Sequence, residues 1–260
     1  MNPFPPGRGL LAAEWTKLRS LRSTPLILAI AAAATLSLAV LQARSAVQAW
    51  DSWGPRARAE FDPVFGTFTG FQPAQFAFGL LGVLAVTAEY GTGTIRATFA
   101  ATPRRGRVVA AKLLVVGGTS FTAGELLAFL TFFTGQAALA GKHLDVGLGD
   151  PNVLRAVLGQ GFYVGTVALL GAAIGLILRH TAGATALTAG LLFLAVMVLK
   201  GISSSTALSR WAPGVAAEGL TWTRFHDPEW PSAGFAVLVC LTYLTVTITA
   251  ATVCVTRRDV

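Results

Sequence analysis

The chain has 260 residues, of which 53% are hydrophobic and only 12% are charged, and its formal net charge is +8. The charged share is about half of that in soluble domains, so polar groups cannot cover a globular surface, and the chain is also too apolar to be disordered. The composition therefore excludes a soluble globular protein and a disordered protein.

The apolar residues fall in long blocks, and a helix of about 20 such residues crosses a hydrocarbon core about 30 Å thick. We therefore predict an all-α, polytopic membrane protein in which residues 1–24 precede a six-helix transmembrane domain over residues 25–260. The six expected spans are residues 25–42, 71–88, 113–136, 155–178, 182–199 and 233–255. The second span is the weakest, because Gln72, Pro73 and Gln75 lie at its start.

The residues before the first span predict an amphipathic helix at the membrane surface. Five apolar residues fall within an arc of about 140° on a helical wheel, namely Leu10, Leu11, Trp15, Leu18 and Leu21. Glu14 and Arg22 interrupt this arc. Two alternatives were weighed. The segment could be no more than the basic flank of the first span. A signal peptide is disfavoured, because 24 residues precede an apolar run that is longer than a signal core.

The basic residues predict the orientation. Six spans place both termini on one side, which carries twelve basic and three acidic residues, whereas the other side carries eight of each. Because basic residues favour the inner side, both termini are expected in the cytoplasm of a cell (plasma) membrane. All six tryptophans lie outside the spans, as interfacial anchors do. The expected partners of the basic residues are anionic headgroups of the bilayer, not nucleic acid.

The link between the second and third spans, residues 89–112, predicts a short cytoplasmic helix. Gly91 and Gly93 end the preceding helix, and residues 94–101 form about two turns with Ile95 and Phe99 on one face. A basic cluster is expected at the headgroups, namely Arg104, Arg105, Arg107 and Lys112. Two interpretations stay open: a docking element for a cytoplasmic partner, and a lipid-facing turn with basic residues that set the orientation.

Glu125 lies near the middle of the third predicted span, where an ionised carboxylate costs about 2.5–3.5 kcal/mol. It lines a translocation path or makes a structural polar contact, and the sequence does not decide between them. In the fourth span, two Gly-x-x-x-Gly motifs that begin at Gly161 and Gly171 predict close helix packing. The link over residues 200–232 predicts short helices that dip into the membrane interface.

The order of these parts resembles the membrane subunit of an ABC-2 type transporter, over nearly the whole chain. Two sequence strings are typical of actinobacterial members of this family, and a basic segment follows them. They are Glu14-Trp15-Thr16-Lys17-Leu18-Arg19, Glu89-Tyr90-x-x-Gly93-Thr94-Ile95-Arg96, and Pro103-Arg104-Arg105 with Lys112.

The resemblance implies a permease that pairs with a second copy or a paralogue, binds two ATP-binding subunits and works as an exporter. The 89–107 segment would then be the coupling helix, in which Glu89, Gly93, Thr94, Ile95, Arg96 and Phe99 meet the ATPase. The leading helix would be the connecting helix, with Leu11, Trp15 and Leu18 toward the membrane.

The chain is not expected to be an enzyme or to bind a cofactor. Gly141-Lys142-His143 lacks the upstream glycine and the following Ser or Thr of a phosphate loop, so ATP and Mg²⁺ are expected on the partner ATPase. A metal site is not expected either, because the three histidines and two cysteines lie far apart.

Three other function classes were weighed. An intramembrane enzyme is disfavoured, because such chemistry usually needs paired carboxylates or histidines. A stand-alone secondary transporter usually has several buried ionisable groups and broken helices, and the sequence offers one such group. A non-transporting membrane anchor for an ATPase-linked regulator stays open. No motif identifies the transported compound.

Overall fold

The computed structural model describes residues 8–21, 23–102, 104–194, 197–198, 209–224 and 231–257. Within these residues the chain is helical and contains no strand, which confirms the all-α prediction. The helices, numbered in chain order, are α1 Arg8–Ser20, α2 Ser23–Ala49, α3 Pro55–Ala59, α4 Pro63–Phe68, α5 Gln72–Gly91, α6 Thr94–Ala101, α7 Arg105–Leu139, α8 Val153–Leu178, α9 Thr181–Ala189, α10 Pro213–Thr221 and α11 Ala233–Arg257.

Five helical stretches are long and apolar enough to cross a membrane, so the chain is a membrane protein. They are Ser23–Ser52, Pro63–Gly91, Arg105–Lys142, Val153–Leu178 and Ala233–Arg257. They coincide with five of the six predicted spans. The other predicted span, 182–199, coincides with a shorter apolar stretch, Thr181–Leu194, and residues 195, 196 and 199 lie outside the described residues. The count of six therefore stays a prediction.

The bundle is built around α8, because 78% of its most apolar 18-residue window is buried. Helices α5 and α8 touch backbone to backbone. A β-carbon on Gly82 would overlap the carbonyl oxygen of Ala168, and one on Gly171 would overlap that of Gly79. Only glycine fits at such a contact, and this explains one of the two glycine motifs of α8.

The other glycine motif packs against α7. Gly161 faces the carboxylate of Glu125, and Gly165 faces the ring of Phe121. Both motifs of α8 are therefore used in packing within this chain, which confirms the packing interpretation of the sequence.

The helices define two ends of the bundle. The α1 end contains α1, α6, the first turns of α7 and the last turns of α5 and α8. The α10 end contains α3, α4, α10 and the first turns of α5 and α8. Helix α7 has 35 residues, is about 52 Å long at 1.5 Å per residue, and connects the two ends.

At the α10 end, the buried carboxylate of Asp62 joins α4 to the chain that follows α10. Its Oδ1 accepts hydrogen bonds from the backbone N–H groups of Val64 and Phe65, each at 3.0 Å, and caps α4. Its Oδ2 accepts from the N–H groups of Thr223 at 2.6 Å and Arg224 at 3.0 Å. The sequence predicted short helices in this link, and α10 is one of them.

Candidate functional site: a buried ion-pair network at the α1 end

Four charged side chains from three helices meet at the α1 end, and we call them the α1-end network. Glu14 and Lys17 belong to α1, Glu89 to the last turn of α5 and Lys112 to the early turns of α7. Residues three apart on a helix lie on the same face, so α1 presents its acid and its base together. The network therefore joins segments that are far apart in the sequence.

Each lysine of the network bridges both carboxylates. The Lys112 Nζ lies 2.5 Å from Glu14 Oε2 and 2.5 Å from Glu89 Oε1. The Lys17 Nζ lies 2.6 Å from Glu14 Oε1 and 3.2 Å from Glu89 Oε2. Two positive and two negative charges thus alternate around a closed ring, and the formal charge of the network is zero.

Three members of this network are buried, with exposed fractions of 3% for Glu14, 3% for Lys112 and 8% for Glu89. Taking a charge out of water is costly unless opposite charges and hydrogen bonds replace the water. Here every buried charge has two charged partners. The loss of any one member would therefore leave a buried charge without one of its partners, which destabilises the fold.

Lys17 is the most solvent-exposed member, with 34% of its side chain accessible. Burial alone lowers the pKa of Lys17, but the hydrogen bonds and charges of Glu14 and Glu89 outweigh it and raise that pKa above its ordinary value of 10.5. Lys17 also donates a hydrogen bond to Thr98 Oγ1 at 3.2 Å, which ties α6 to the network.

Helix α6 begins where the sequence predicted it. Gly93 has φ +73° in the left-handed region, which glycine adopts without strain, and the helix then runs from Thr94 to Ala101. Ile95 and Phe99 do lie on one face, as expected, but that face is packed into the chain, with exposed fractions of 2% and 8%.

The burial of this face corrects the set of residues expected to meet a partner. Ile95 and Phe99 pack in the same apolar cluster as Leu18, and Glu89 is held by lysines. A partner cannot reach these side chains while α6 is packed in this way. The residues that α6 and its preceding turn leave exposed are Thr92, Gly93, Thr94, Arg96, Ala97, Ala100 and Ala101.

The connecting-helix prediction is corrected at one residue. Leu11 and Trp15 are 38% and 49% exposed, as a membrane-facing surface requires. Leu18 is only 5% exposed, because it packs against the α6 face described above. Leu18 therefore belongs to the core of the α1 end and does not face the membrane.

The basic residues expected at the headgroups do not form one cluster. Lys112 lies in the buried network, which corrects its assignment to the headgroup surface. Arg104 and Arg107 are exposed. The guanidinium of Arg105 lies 5.6 Å from the centre of the Phe99 ring. Helix α7 begins at Arg105, earlier than the predicted span. The basic side chains therefore lie at different heights along the helix and on different faces of it.

Glu125 lies apart from the network and is half-buried. Its carboxylate packs against Gly161 of α8, and its Oε2 has no hydrogen-bond partner among the described residues. Both sequence interpretations of Glu125, a translocation path and a structural contact, stay open.

The α1-end network also lines a cavity of about 290 Å³, together with Thr92 and with Thr94, the first residue of α6.

Comparison with known proteins adds no assignment. No family model and no curated protein matches the chain. The function must be argued from the site itself.

The sequence contains one signal for this network. Glu14 interrupts the apolar arc of α1. An acid on an otherwise apolar helix face needs a basic partner when that face is buried. Lys17 and Lys112 supply it, the second from 98 residues further along the chain.

Proposed function

We propose that the chain is the membrane-spanning permease subunit of an ATP-driven transporter, coupled through α6 to separate ATP-binding subunits. In this proposal it pairs with a second permease subunit, lies in the cell membrane with six spans and cytoplasmic termini, and exports its cargo. ATP and Mg²⁺ bind to the partner ATPase.

The observation that supports the proposal is that α6 is packed against the chain on one face and exposed on the other. One face of this short helix packs into the α1 end through Ile95 and Phe99, and the opposite side leaves Thr94, Arg96 and Ala97 exposed. An exposed surface with a rigid support is what a docking element needs, since a partner can then bind it without unfolding it.

The α1-end network supplies the mechanical connection in this proposal. Lys17 joins α6, through Thr98, to the carboxylates of α1 and α5, and Lys112 joins those carboxylates to α7. A displacement of α6 is thereby passed to α1, α5 and α7. Transport further requires that the nucleotide states of the ATPase bind two arrangements of these helices with different affinity.

The proposal is tested at the exposed surface of α6. The chain is co-expressed with each ATP-binding subunit of the genome that encodes it, and the complex is purified from membranes. Reversing a charge at an interface creates like-charge repulsion, so Arg96→Glu should weaken the association by at least about tenfold and lower ATP hydrolysis. Association is measured by co-purification and ATP hydrolysis by phosphate release.

Arg257→Glu is the matched control, because Arg257 is also an exposed arginine but lies at the end of α11, outside the 89–107 segment. It should leave both measurements unchanged, and neither variant should change the melting temperature of the chain. Association that persists in Arg96→Glu, or no association with any ATP-binding subunit, would contradict the proposal.

A further inference from the structure

A second cavity lies at the α10 end, between α4, the start of α5, the first half of α8 and α10. Its volume is about 110 Å³, which compares with about 150 Å³ for an engineered protein cavity that binds benzene. The space is therefore sufficient for a ligand of about five non-hydrogen atoms.

The walls of this cavity carry buried amide groups that are ready to bind a polar ligand. The hydroxyl of Tyr163 donates to Gln75 Oε1 at 2.8 Å, and the amide of Gln75 donates to Gln72 Oε1 at 2.6 Å. Gln160 is only 4% exposed, yet its side chain has no hydrogen bond within the described part of the chain. The amide of Gln160 is open to the cavity, so a ligand there can pair with it without breaking a bond within the described part of the chain.

The charge of the lining favours a cation. Glu218 is the only charged residue among the described residues that line the cavity, although the chain as a whole carries +8. Its carboxylate also interacts with the rest of the chain. Three phenylalanines complete the wall with apolar surface, namely Phe65, Phe68 and Phe71.

We infer that this cavity binds a small organic ammonium ion. Glu218 attracts its charge, the side-chain oxygen of Gln160 accepts one of its N–H groups, and the aromatic wall covers its carbon atoms. An anion meets no basic side chain among the described lining residues, and an apolar molecule leaves the Gln160 amide unpaired.

The inference does not depend on the proposed function, because the experiment measures binding to this chain alone. The full chain is placed in lipid nanodiscs and titrated calorimetrically with tert-butylammonium and with tert-butanol. The two probes have the same shape and differ in charge and in N–H donors. The ammonium ion should bind at least about tenfold more tightly, as expected for a hydrogen-bonded charge.

Two variants locate the site. Glu218→Gln should weaken binding of tert-butylammonium about tenfold and that of tert-butanol by less than about threefold, because only the charge is lost. Gln160→Leu keeps the size of the side chain and removes its amide, so binding of the ammonium ion should fall about fivefold.

Gln48→Leu is the control, since Gln48 is an exposed amide on α2, and it should change neither affinity. The melting temperature without ligand shows whether each variant is folded. If Glu218→Gln does not fold, the affinity of Gln160→Leu tests the inference in its place. No binding of tert-butylammonium, equal affinity for both probes, or binding that the folded cavity variants leave unchanged would overturn the inference.

Discussion

The two ends of the bundle neutralise their buried charges in different ways. At the α1 end, the buried ammonium group of Lys112 forms ion pairs with the carboxylates of Glu14 and Glu89. At the α10 end, Asp62 accepts hydrogen bonds from four backbone N–H groups and the Thr223 hydroxyl, and no charged group bonds to it directly among the described residues. The guanidinium of Arg155 lies near enough to interact electrostatically with Asp62, but it donates to the carbonyl oxygens of Leu220 and Trp222.

This difference has a physical consequence. Removing one member of the ion-pair network leaves the others as uncompensated buried charges. Removing the charge of Asp62 leaves mainly unpaired hydrogen-bond donors, and the one nearby cation, Arg155, is partly exposed to solvent and keeps its bonds to two carbonyl oxygens. We therefore expect the α1 end to be the more sensitive to a single substitution. The segments that it connects, α1, α5, α6 and α7, are those through which the proposed coupling passes.

The largest effect is expected for Lys112→Met. The substitution keeps most of the side-chain volume and leaves Glu14 and Glu89 buried with only Lys17 between them, so the free energy of unfolding should fall by about 3–5 kcal/mol. The measurement is the melting temperature of the chain in detergent or nanodiscs.

Arg107→Met is the control for this substitution, because it removes an exposed cation from the same helix and should have almost no effect. Adding Glu14→Gln and Glu89→Gln to Lys112→Met should restore part of the loss. A Lys112→Met protein as stable as the parent would show that the network does not support the fold.

A smaller effect is expected for Asp62→Asn at the α10 end. The amide retains an oxygen to cap α4 but turns an NH₂ group toward the N–H groups of Thr223 and Arg224, which lose their acceptor. The loss of stability should be about 1–3 kcal/mol. The exposed Asp145 provides the control variant, Asp145→Asn. If Asp62→Asn were as damaging as Lys112→Met, the distinction between the two ends would be wrong.

The smallest effect concerns Lys17 and pH. Because the folded protein holds the pKa of Lys17 above 10.5, its stabilising contribution is complete below that pH and is lost as the pH rises through the raised value. The contribution should stay below about 1 kcal/mol, since this side chain is partly exposed to solvent. Melting temperatures of the parent and Lys17→Met should therefore differ at pH 9 and converge as the pH rises past the raised pKa of Lys17. A difference that persists unchanged at high pH would contradict an ionic role for Lys17.

Local chemistry explains which features the sequence could predict. The bounds of α6 follow from Gly93 and from the short apolar repeat after it, and the spans follow from apolar composition; both signals are contained within a few turns of chain. The side to which Ile95 and Phe99 point could not be predicted in this way. The same apolar pair suits a partner surface or the interior of the chain, and only tertiary packing selects one.

The site residues that the sequence misassigned depend on contacts between distant segments. Lys112 was grouped with three arginines because it follows them closely in sequence, yet its carboxylate partners lie on α1 and α5. Gln75 lies at the weak start of the second predicted span, and no sequence pattern marks Gln160. Their role in one cavity depends on the contact of α5 with α8, which no local pattern encodes.

The backbone contact between Gly82 and Ala168 has a mechanical consequence. Two helices that meet without intervening side chains cannot slide or rotate against each other without steric overlap, so α5 and α8 form one rigid unit. Helices α2 and α11 have only 22% of their most apolar window buried, so most of the surface of each is left for lipid or for another subunit. A displacement that reaches α5 at one end of the bundle must therefore carry α8, the most buried helix, with it.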